Sequence, residues 1–207
     1  MRSTVGNEEN FVEYLESLVE TKNRAALAAL RRGLGKPPGT VTEMHPIVVP
    51  MLPKNASAED EEVFYLIAAL FSLHQMNWHP AAEEKGRTNF GASFARLRTS
   101  LGGERSGSIK SSIESRFVAL LNSHRDDLPE HLRHAVALLR SHDLPVDWAG
   151  LVRDIRDWDR DDRRVQRVWS RAFWQSVAQT EEGHTAGGVS DSDKERVGSD
   201  PSQKPDG

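Results

Sequence analysis

Hydrophobic residues recur along most of the chain at the three- to four-residue spacing of amphipathic helices. In residues 8–20, the apolar positions that share one helix face are Phe11, Leu15, Leu18 and Val19. Residues 63–76, VFYLIAALFSLHQM, are apolar nearly all round, which predicts a buried central helix. The only alternating, strand-like stretch is residues 47–52, and Pro50 interrupts it. The pattern therefore predicts an all-α fold of about eight helices.

Capping residues predict where several helices begin and end. Ser57, Asn89 and Ser108 each precede an apolar helical stretch and are predicted N-caps. Gly35 and the prolines after it end the helix predicted over residues 22–34, and a proline-rich loop follows to about residue 57. The remaining helices are predicted over residues 128–142, 147–158 and 161–179.

Glycine and serine divide the chain into predicted units. GGERSG at 102–107 is a predicted turn or linker, so we expect two small helical bundles, residues 1–103 and 104–179. Residues 180–207 are rich in glycine, serine and aspartate and show no apolar period. Such a composition cannot bury enough apolar surface to fold, so this segment is predicted to be a disordered acidic tail.

Composition narrows the class of protein. The 207 residues contain no cysteine, which excludes a disulfide framework, a thiolate metal site and a cysteine nucleophile. No apolar run reaches the roughly 18 residues that a membrane span needs, and residues 1–11 lack the apolar stretch of a signal peptide. We therefore expect a soluble, cytoplasmic protein.

Charge is distributed in blocks that the net charge of −4 conceals. Residues 180–207 hold seven acids and three bases and so account for the whole net charge. Residues 8–20 contain five glutamates and no base, whereas residues 22–36 contain five bases and no acid. Residues 85–110 hold six bases against one glutamate. Local basic patches of this kind indicate contact with an anionic partner.

The GLGK stretch at residues 33–36 resembles part of a phosphate-binding P-loop. A P-loop requires a preceding strand and a Ser or Thr after the lysine, whereas here a helix precedes and Pro37 follows. The stretch is more typical of a glycine C-cap, with Lys36 favoured at the helix C-terminus.

Two histidine patterns raise the possibility of a metal site. His131 and His134 lie one helical turn apart, and His142-Asp143 is the dipeptide of HD-type metal phosphohydrolases. Each pattern lacks the further ligands that a metal site requires. We therefore expect no metal, no cofactor and no catalytic residue.

Basic residues from several elements are the strongest functional signal. They can form a track for phosphates, with binding directed to the backbone and tolerant of sequence. Trp148, Trp158, Trp169 and Trp174 are expected to be the bulky packing residues of the last two helices. Stacking on bases is the alternative for these rings, but Trp148, Trp158 and Trp169 fall on apolar faces, which favours the core for those three. The candidate nucleic-acid-binding residues are Arg24, Arg31, Arg32, Lys36, Lys85, Arg87, Arg98, Lys110, Arg116, Arg163, Arg164 and Arg167. The alternative is a helical protein–protein adaptor whose basic patches meet acidic partner surfaces.

Several stretches, taken in order and spacing, resemble the CasB family, the small subunits of the type I-E Cascade CRISPR interference complex. The resemblance covers residues 10 to about 178. The stretches are ALAALRRGLGKPPG, FYLIAALFSLH, NFGASFARL, ESRFVALLNS, LPEHLRHAVALLRSHDLPVDWAGLVRDIRDW and VWSRAFW.

The resemblance implies an all-helical, two-bundle protein without enzymatic activity. It implies two copies, head to tail, against the backbone subunits and beside the CRISPR RNA, in a complex that also holds the large subunit. It further implies that basic residues hold the displaced strand of the target DNA and so stabilise the R-loop. Such contacts matter because exchanging a DNA duplex for an RNA–DNA duplex is nearly neutral in energy.

The resemblance also carries over to particular residues. Arg31-Arg32 and Lys36 match the family's LRR-x-LGK stretch, and Arg116 matches the second arginine of its Glu-Arg-Arg-Phe motif. Ser115 replaces the first arginine of that motif, so one expected charge is absent. Since residues 22–36 hold no acid, we expect Arg31, Arg32 or both to face a nucleic-acid backbone. Further family matches are the basic region Arg163, Arg164 and Arg167 and, by approximate alignment, Lys85, Arg87 and Arg98.

Overall fold

The structure, a computed structural model, describes residues 6–79, 88–101 and 106–186. Within these ranges it contains nine α-helices and two single turns of 3₁₀-helix, Thr42–Met44 and Val49–Met51, which confirms the predicted all-α class. The only bridge of β type in the described ranges joins Asn77 to Val146. The α-helices are α1 (Asn7–Glu20), α2 (Arg24–Arg31), α3 (His45–Val48), α4 (Ala58–Leu73), α5 (Phe90–Ser100), α6 (Ser106–Leu121), α7 (Leu128–Arg140), α8 (Trp148–Arg156) and α9 (Arg164–Ala186).

Two of the three predicted N-caps are confirmed. The Ser57 hydroxyl accepts from the backbone N–H of Asp60, and the Asp60 carboxylate accepts in return from that of Ser57, which is a capping box. The Asn89 side chain accepts from the N–H of Ala92 at the start of α5. The predicted cap at Ser108 is wrong, because α6 begins at Ser106 and Ser108 lies inside its first turn.

Two segments contain more helix than the sequence predicts. The proline-rich loop after residue 35 includes α3 and both 3₁₀ turns, with Pro46 as the second residue of α3 and Pro50 as the second residue of the second turn. Proline is suited to those positions, where its missing N–H leaves no helical bond unmade. Helix α9 continues to Ala186, seven residues beyond the end of the helix predicted over residues 161–179. Residues 187–207 of the predicted tail lie outside the described residues.

Helix α4 lies at the centre of the fold, as its apolar sequence predicts. Phe64, Ile67 and Phe71 are fully buried, and the helix packs against α2, α7 and α8. The rings of Phe64 and Phe11 meet edge to face with centroids 4.7 Å apart, which attaches α1 to the same core. Burial of aromatic side chains of this size supplies much of the hydrophobic free energy of folding.

Helices α5 and α9 pack along each other more extensively than any other described pair. Their contact is aromatic: Phe90 of α5 lies 5.1 Å from Trp169 of α9, measured between ring centroids. Phe117 of α6 extends the cluster by stacking on Phe173 at 4.4 Å. Trp148, Trp158 and Trp169 are all at most 2 % exposed, which confirms their predicted place in the core.

Helix packing runs across the linker that was predicted to separate two bundles. Helix α8 packs on α1 and α4, and α9 packs on α5. Residues 102–105 of the linker lie outside the described residues, and the division at 103/104 stays a prediction. No described helix is both long and apolar enough to cross a bilayer.

Arg156 joins three helices in a partly buried ionic contact. Its guanidinium pairs with Glu8 of α1 and lies 2.7 Å from the Asp60 carboxylate of α4, measured from Nε to Oδ1. It also lies 5.3 Å from the centroid of the Phe64 ring, within the range of a cation–π contact. One side chain of α8 thus pairs with carboxylates of two other helices beside the core.

We expect Arg156→Ala to lower the free energy of unfolding by about 2 kcal/mol, because it leaves two partly buried carboxylates unpaired. Urea denaturation followed by circular dichroism measures the loss. Arg153→Ala is the matched control, since Arg153 of the same helix also pairs with α1, through Glu9, but in a much more exposed position. It should cost less than about 1 kcal/mol. Equal losses in the two variants would contradict the assigned role of Arg156.

Candidate nucleic-acid interface

The first group of predicted site residues lies on α2 and the turns after it. Leu30 is fully buried against the core, which turns Arg31 and Arg32 outward at the end of the helix. Gly35 has a φ of +70°, in the left-handed region that glycine adopts without strain, and the chain reverses there. Arg24, at the start of α2, and Lys36 are likewise exposed, so α2 and the turns after it present four cationic side chains to solvent.

Both arginines at the end of α2 have partners within the chain. Arg31 donates from Nη2 to the carbonyl oxygen of Ser72 at 2.9 Å, which ties it to the last turn of α4. Arg32 pairs with Glu43 at 3.1 Å, with both side chains more than half exposed. The expectation that no nearby acid pairs with these arginines is therefore wrong for Arg32, whose partner follows eleven residues later. An exposed pair of this kind is weak, so Arg32 remains able to exchange Glu43 for another anion.

Lys36 lies at the edge of a cleft of about 550 Å³ between the turn after α2, α4 and the start of α7. Val63, Leu66 and Leu128 line its apolar part. Acidic and basic side chains are mixed at its rim, which contains Glu59, Glu62, Arg125, Asp126, Glu130 and Arg133. The hydrogen bond from Arg133 lowers the pKa of Glu130, so this acid stays ionised. The mixed charges do not single out an anionic ligand for the cleft.

The second group lies on α5 and α6. Arg116 is exposed, Lys110 is half-buried, and Ser115 is exposed with its hydroxyl donating to the carbonyl oxygen of Ser111. Arg98 differs from them, because only 8 % of it is exposed and its Nε lies 2.5 Å from the Glu114 carboxylate. Arg98 links α5 to α6, and we leave it out of the interface that we propose below.

The third group begins α9. Arg163, Arg164 and Arg167 are all exposed, and Arg163 donates from Nη2 to the carbonyl oxygen of Leu121 at 2.7 Å. That bond places the start of α9 against the end of α6, the helix that carries Arg116. The structure therefore brings the second and third groups onto neighbouring helices.

The aspartates around the start of α9 are engaged locally. Asp162 accepts from the side chain of Arg160 at 3.3 Å and from the backbone N–H of Arg164 at 3.1 Å. The hydrogen bond from Arg160 lowers the pKa of Asp162, so the carboxylate is ionised at the positive end of the helix dipole. Asp159 lies 3.7 Å from Arg125. In the described part of the chain these two acids pair with Arg125 and Arg160, and the charge of Arg167 acts on Asp162 only as a weaker Coulombic attraction.

The sequence missed two residues of the α9 surface. Arg171 is exposed one turn after Arg167, and this four-residue spacing was the signal that could have identified it. Trp174, expected as a packing residue of this helix, is 40 % exposed. Lys85 and Arg87, which were predicted as site residues, lie outside the described residues.

The two histidine patterns considered as metal sites lie on α7 and just after its end. His134 lies 3.2 Å from the Glu130 carboxylate, four residues earlier on α7, and His142 and Asp143 follow the end of that helix. In the described part of the chain, no three residues among His, Cys, Asp and Glu come together in a way that could hold a metal ion.

The fold and the site together describe an all-α protein whose helices carry three groups of exposed basic residues. Comparison with known proteins identifies its family. Residues 26–174 match the family model described as CRISPR-associated protein Cse2. A CRISPR-associated protein Cse2 from Thermus thermophilus is 36 % identical over 176 residues, which cover 84 % of this chain and 94 % of the relative. The chain belongs to the Cse2 family, also named CasB, which confirms the resemblance seen in the sequence.

Solved structures agree with the family assignment. The crystal structure of CasB from Thermus thermophilus matches with a TM-score of 0.67 and 30 % identity, covering 83 % of this chain and 99 % of that one. A chain of a CRISPR RNA-guided surveillance complex, in a pre-nicking state, matches with a TM-score of 0.70 and 26 % identity. That match covers 86 % of this chain and 97 % of the other.

Proposed function

We propose that this protein is a non-catalytic subunit of a type I-E CRISPR surveillance complex, Cascade, that acts in antiviral defence in the cytoplasm. It binds nucleic-acid backbones through its exposed basic groups. By holding the CRISPR RNA–target duplex and the displaced DNA strand, it stabilises the R-loop. Its partners are the backbone and large subunits, a second copy of itself, the CRISPR RNA and the target DNA.

One observation carries this proposal: exposed arginines recur at the end of α2, on α6 and along the start of α9, in a chain of the Cse2 family. The matched solved chain that belongs to an RNA-guided surveillance complex supports the same assignment. Arginine suits this role because its guanidinium can donate two parallel hydrogen bonds to a phosphate. Contacts to phosphates fix position without reading sequence, as a subunit that must accept any target requires.

The physical need for such contacts follows from the energetics of guide pairing. The RNA–DNA duplex that forms is about as stable as the DNA duplex it replaces. A displaced strand left free can therefore pair again and expel the guide. Protein contacts that hold that strand shift the balance toward the open state without any catalytic step.

We expect the triple variant Arg31→Ala, Arg32→Ala and Arg116→Ala to bind single-stranded DNA about 10- to 100-fold more weakly near physiological salt. Each phosphate contact releases counterions from the DNA when the protein binds, so each lost contact removes part of the entropy that favours binding. The slope of log affinity against log salt should fall by about 2, from roughly 0.7 for each contact to a single strand. Fluorescence anisotropy across a salt series measures both quantities. In complexes reconstituted with this subunit, the same variant should shorten the lifetime of the R-loop.

The matched control replaces Lys54, Arg140 and Arg153, three exposed bases outside the proposed groups, with alanine. It changes net charge by the same amount and should leave the salt slope near that of the wild-type protein. If both triple variants lose affinity equally, general charge and not these residues causes the binding. If the wild-type chain binds no nucleic acid but joins the complex, the adaptor alternative holds, which the internal pairing of Arg31 and Arg32 favours.

A further inference from the structure

The exposed face of α9 combines arginines with a tryptophan in one row. Arg164, Arg167, Arg171 and Trp174 follow one another at spacings of three, four and three residues, so they share a helix face. All are exposed in the structure, while Trp169 and Phe173 on the opposite face are fully buried. At about 1.5 Å per residue, the row is about 15 Å long. We name these four side chains the α9 row.

The positive charges of the α9 row are not offset by acidic residues in the same stretch of helix. Residues 163–180 contain four arginines and neither aspartate nor glutamate. The nearest preceding acid, Asp162, is bound to Arg160 and to the first N–H group of the helix. Arg167 and Arg171 therefore have no aspartate or glutamate within one or two turns on the same helix.

Trp174 is unusual among the tryptophans because of its exposure. Three others are at most 2 % exposed, and Trp78 has the Arg96 guanidinium 3.6 Å from its ring centroid. Trp174 is 40 % exposed, and only the neighbouring Phe173 is in ring contact with it among the described aromatic pairs. A partly exposed aromatic ring beside exposed arginines is able to stack on a nucleic-acid base whose phosphates the arginines contact.

We propose that the α9 row is a binding site for single-stranded nucleic acid in which Trp174 stacks on an unpaired base while Arg167 and Arg171 contact the flanking phosphates. The inference rests on the proposed function and adds to it a site that binds unpaired bases by stacking, whatever their sequence. A basic track with an aromatic platform is the combination by which proteins hold single strands without sequence preference. A duplex offers phosphates but no free base face, so the row favours the displaced strand over paired segments.

The test compares two oligonucleotides of about 8 nucleotides, an oligothymidylate and an abasic strand of the same length that keeps every phosphate but has no bases. Trp174→Ala should weaken binding of the oligothymidylate about tenfold and leave abasic binding unchanged, since stacking contributes about 1–3 kcal/mol per base. Arg167→Gln and Arg171→Gln should weaken binding of both strands and lower the salt slope by about 0.7 each.

Three further variants separate stacking from packing. Trp174→Leu keeps an apolar side chain without a π-face and should behave like Trp174→Ala, whereas Trp174→Phe should keep most of the affinity. Val168→Ala removes the other exposed apolar side chain of this face, which is 44 % exposed, and should have little effect. Circular dichroism checks that each variant is folded.

The possible outcomes are distinct. Unchanged oligothymidylate binding by Trp174→Ala and Trp174→Leu, or an equal loss on both strands, overturns the inference and leaves the proposed function standing. The same holds if Trp174 variants lose only association with a protein subunit of the complex, which assigns the row to a protein interface. If the wild-type chain binds neither strand, the proposed function itself fails.

Discussion

Replacing Gly91 with alanine is expected to destabilise the protein by about 3 kcal/mol. Gly91 lies in α5 where that helix crosses α9, and a β-carbon built there lies 2.7 Å from both the carbonyl carbon and the Cα atom of Trp169. These are backbone atoms, which no change of rotamer can move away. The helices must separate, which also disturbs the aromatic contact between Phe90 and Trp169.

Thermal denaturation measures the effect, which at this chain length corresponds to a fall in Tm of roughly 10 °C. Gly107→Ala is the matched control, because Gly107 is also a helical glycine but a β-carbon there meets no atom within 4 Å. Alanine is the better helix former, so this control should be neutral or stabilising by about 0.5 kcal/mol. A Gly91→Ala protein as stable as the control would show that α5 and α9 are not in close contact.

The second large effect is expected at Asp154, a mostly buried carboxylate of α8. Burial raises the pKa of Asp154 to about 6, and the nearby charge of Asp147 adds to the rise. The hydrogen bond that its Oδ2 accepts from Nε1 of Trp169, at 2.6 Å, opposes the rise without cancelling it. At neutral pH the folded protein therefore holds a carboxylate that is ionised at a cost.

The direction of the pH dependence follows from this shift. A group whose pKa is raised on folding stabilises the folded state below its unfolded pKa, near 3.9, and that contribution is lost as the pH rises through about 6. We expect Asp154→Asn, which keeps an oxygen to accept from Trp169, to stabilise the protein by about 2 kcal/mol at pH 7.5. Near pH 4 the two proteins should have nearly equal free energies of unfolding.

Urea denaturation at a series of pH values between 4 and 8 tests the prediction. Asp162→Asn is the control, since the pKa of exposed Asp162 is lowered and its contribution to stability is lost as the pH falls. That variant should gain nothing at pH 7.5. A wild-type curve as flat as that of Asp154→Asn between pH 4 and 7 would contradict the raised pKa.

Features encoded within a few residues could be predicted from the sequence. The start of α4 depends on Ser57 and Asp60, three residues apart, and the start of α5 on Asn89 and the N–H of Ala92. The buried face of α7 follows from the spacing of Leu132, Val136 and Leu139. The all-α class is a sum of such local signals, and for that reason it could be predicted without knowing which helices touch.

Features that depend on distant partners could not be predicted. Arg31 donates to Ser72, forty-one residues away, and Arg98 is buried because Glu114 of another helix meets it. Trp174 follows Trp169 by five residues on the same helix, and the packing of α9 on α5 buries Trp169 while leaving Trp174 partly exposed. The basic residue types of the site were therefore visible in the sequence, whereas their accessibility required the structure.

The pairing of α5 with α9 has a consequence for how the chain is made. Residues 101–163 separate the two helices, so a ribosome delivers α5 long before its partner. During that interval Phe90, which is buried in the finished protein, lacks the Trp169 ring that packs on it. A nascent chain arrested before residue 164 is consequently expected to recruit chaperones or aggregate, and release of α9 is the step that completes the fold.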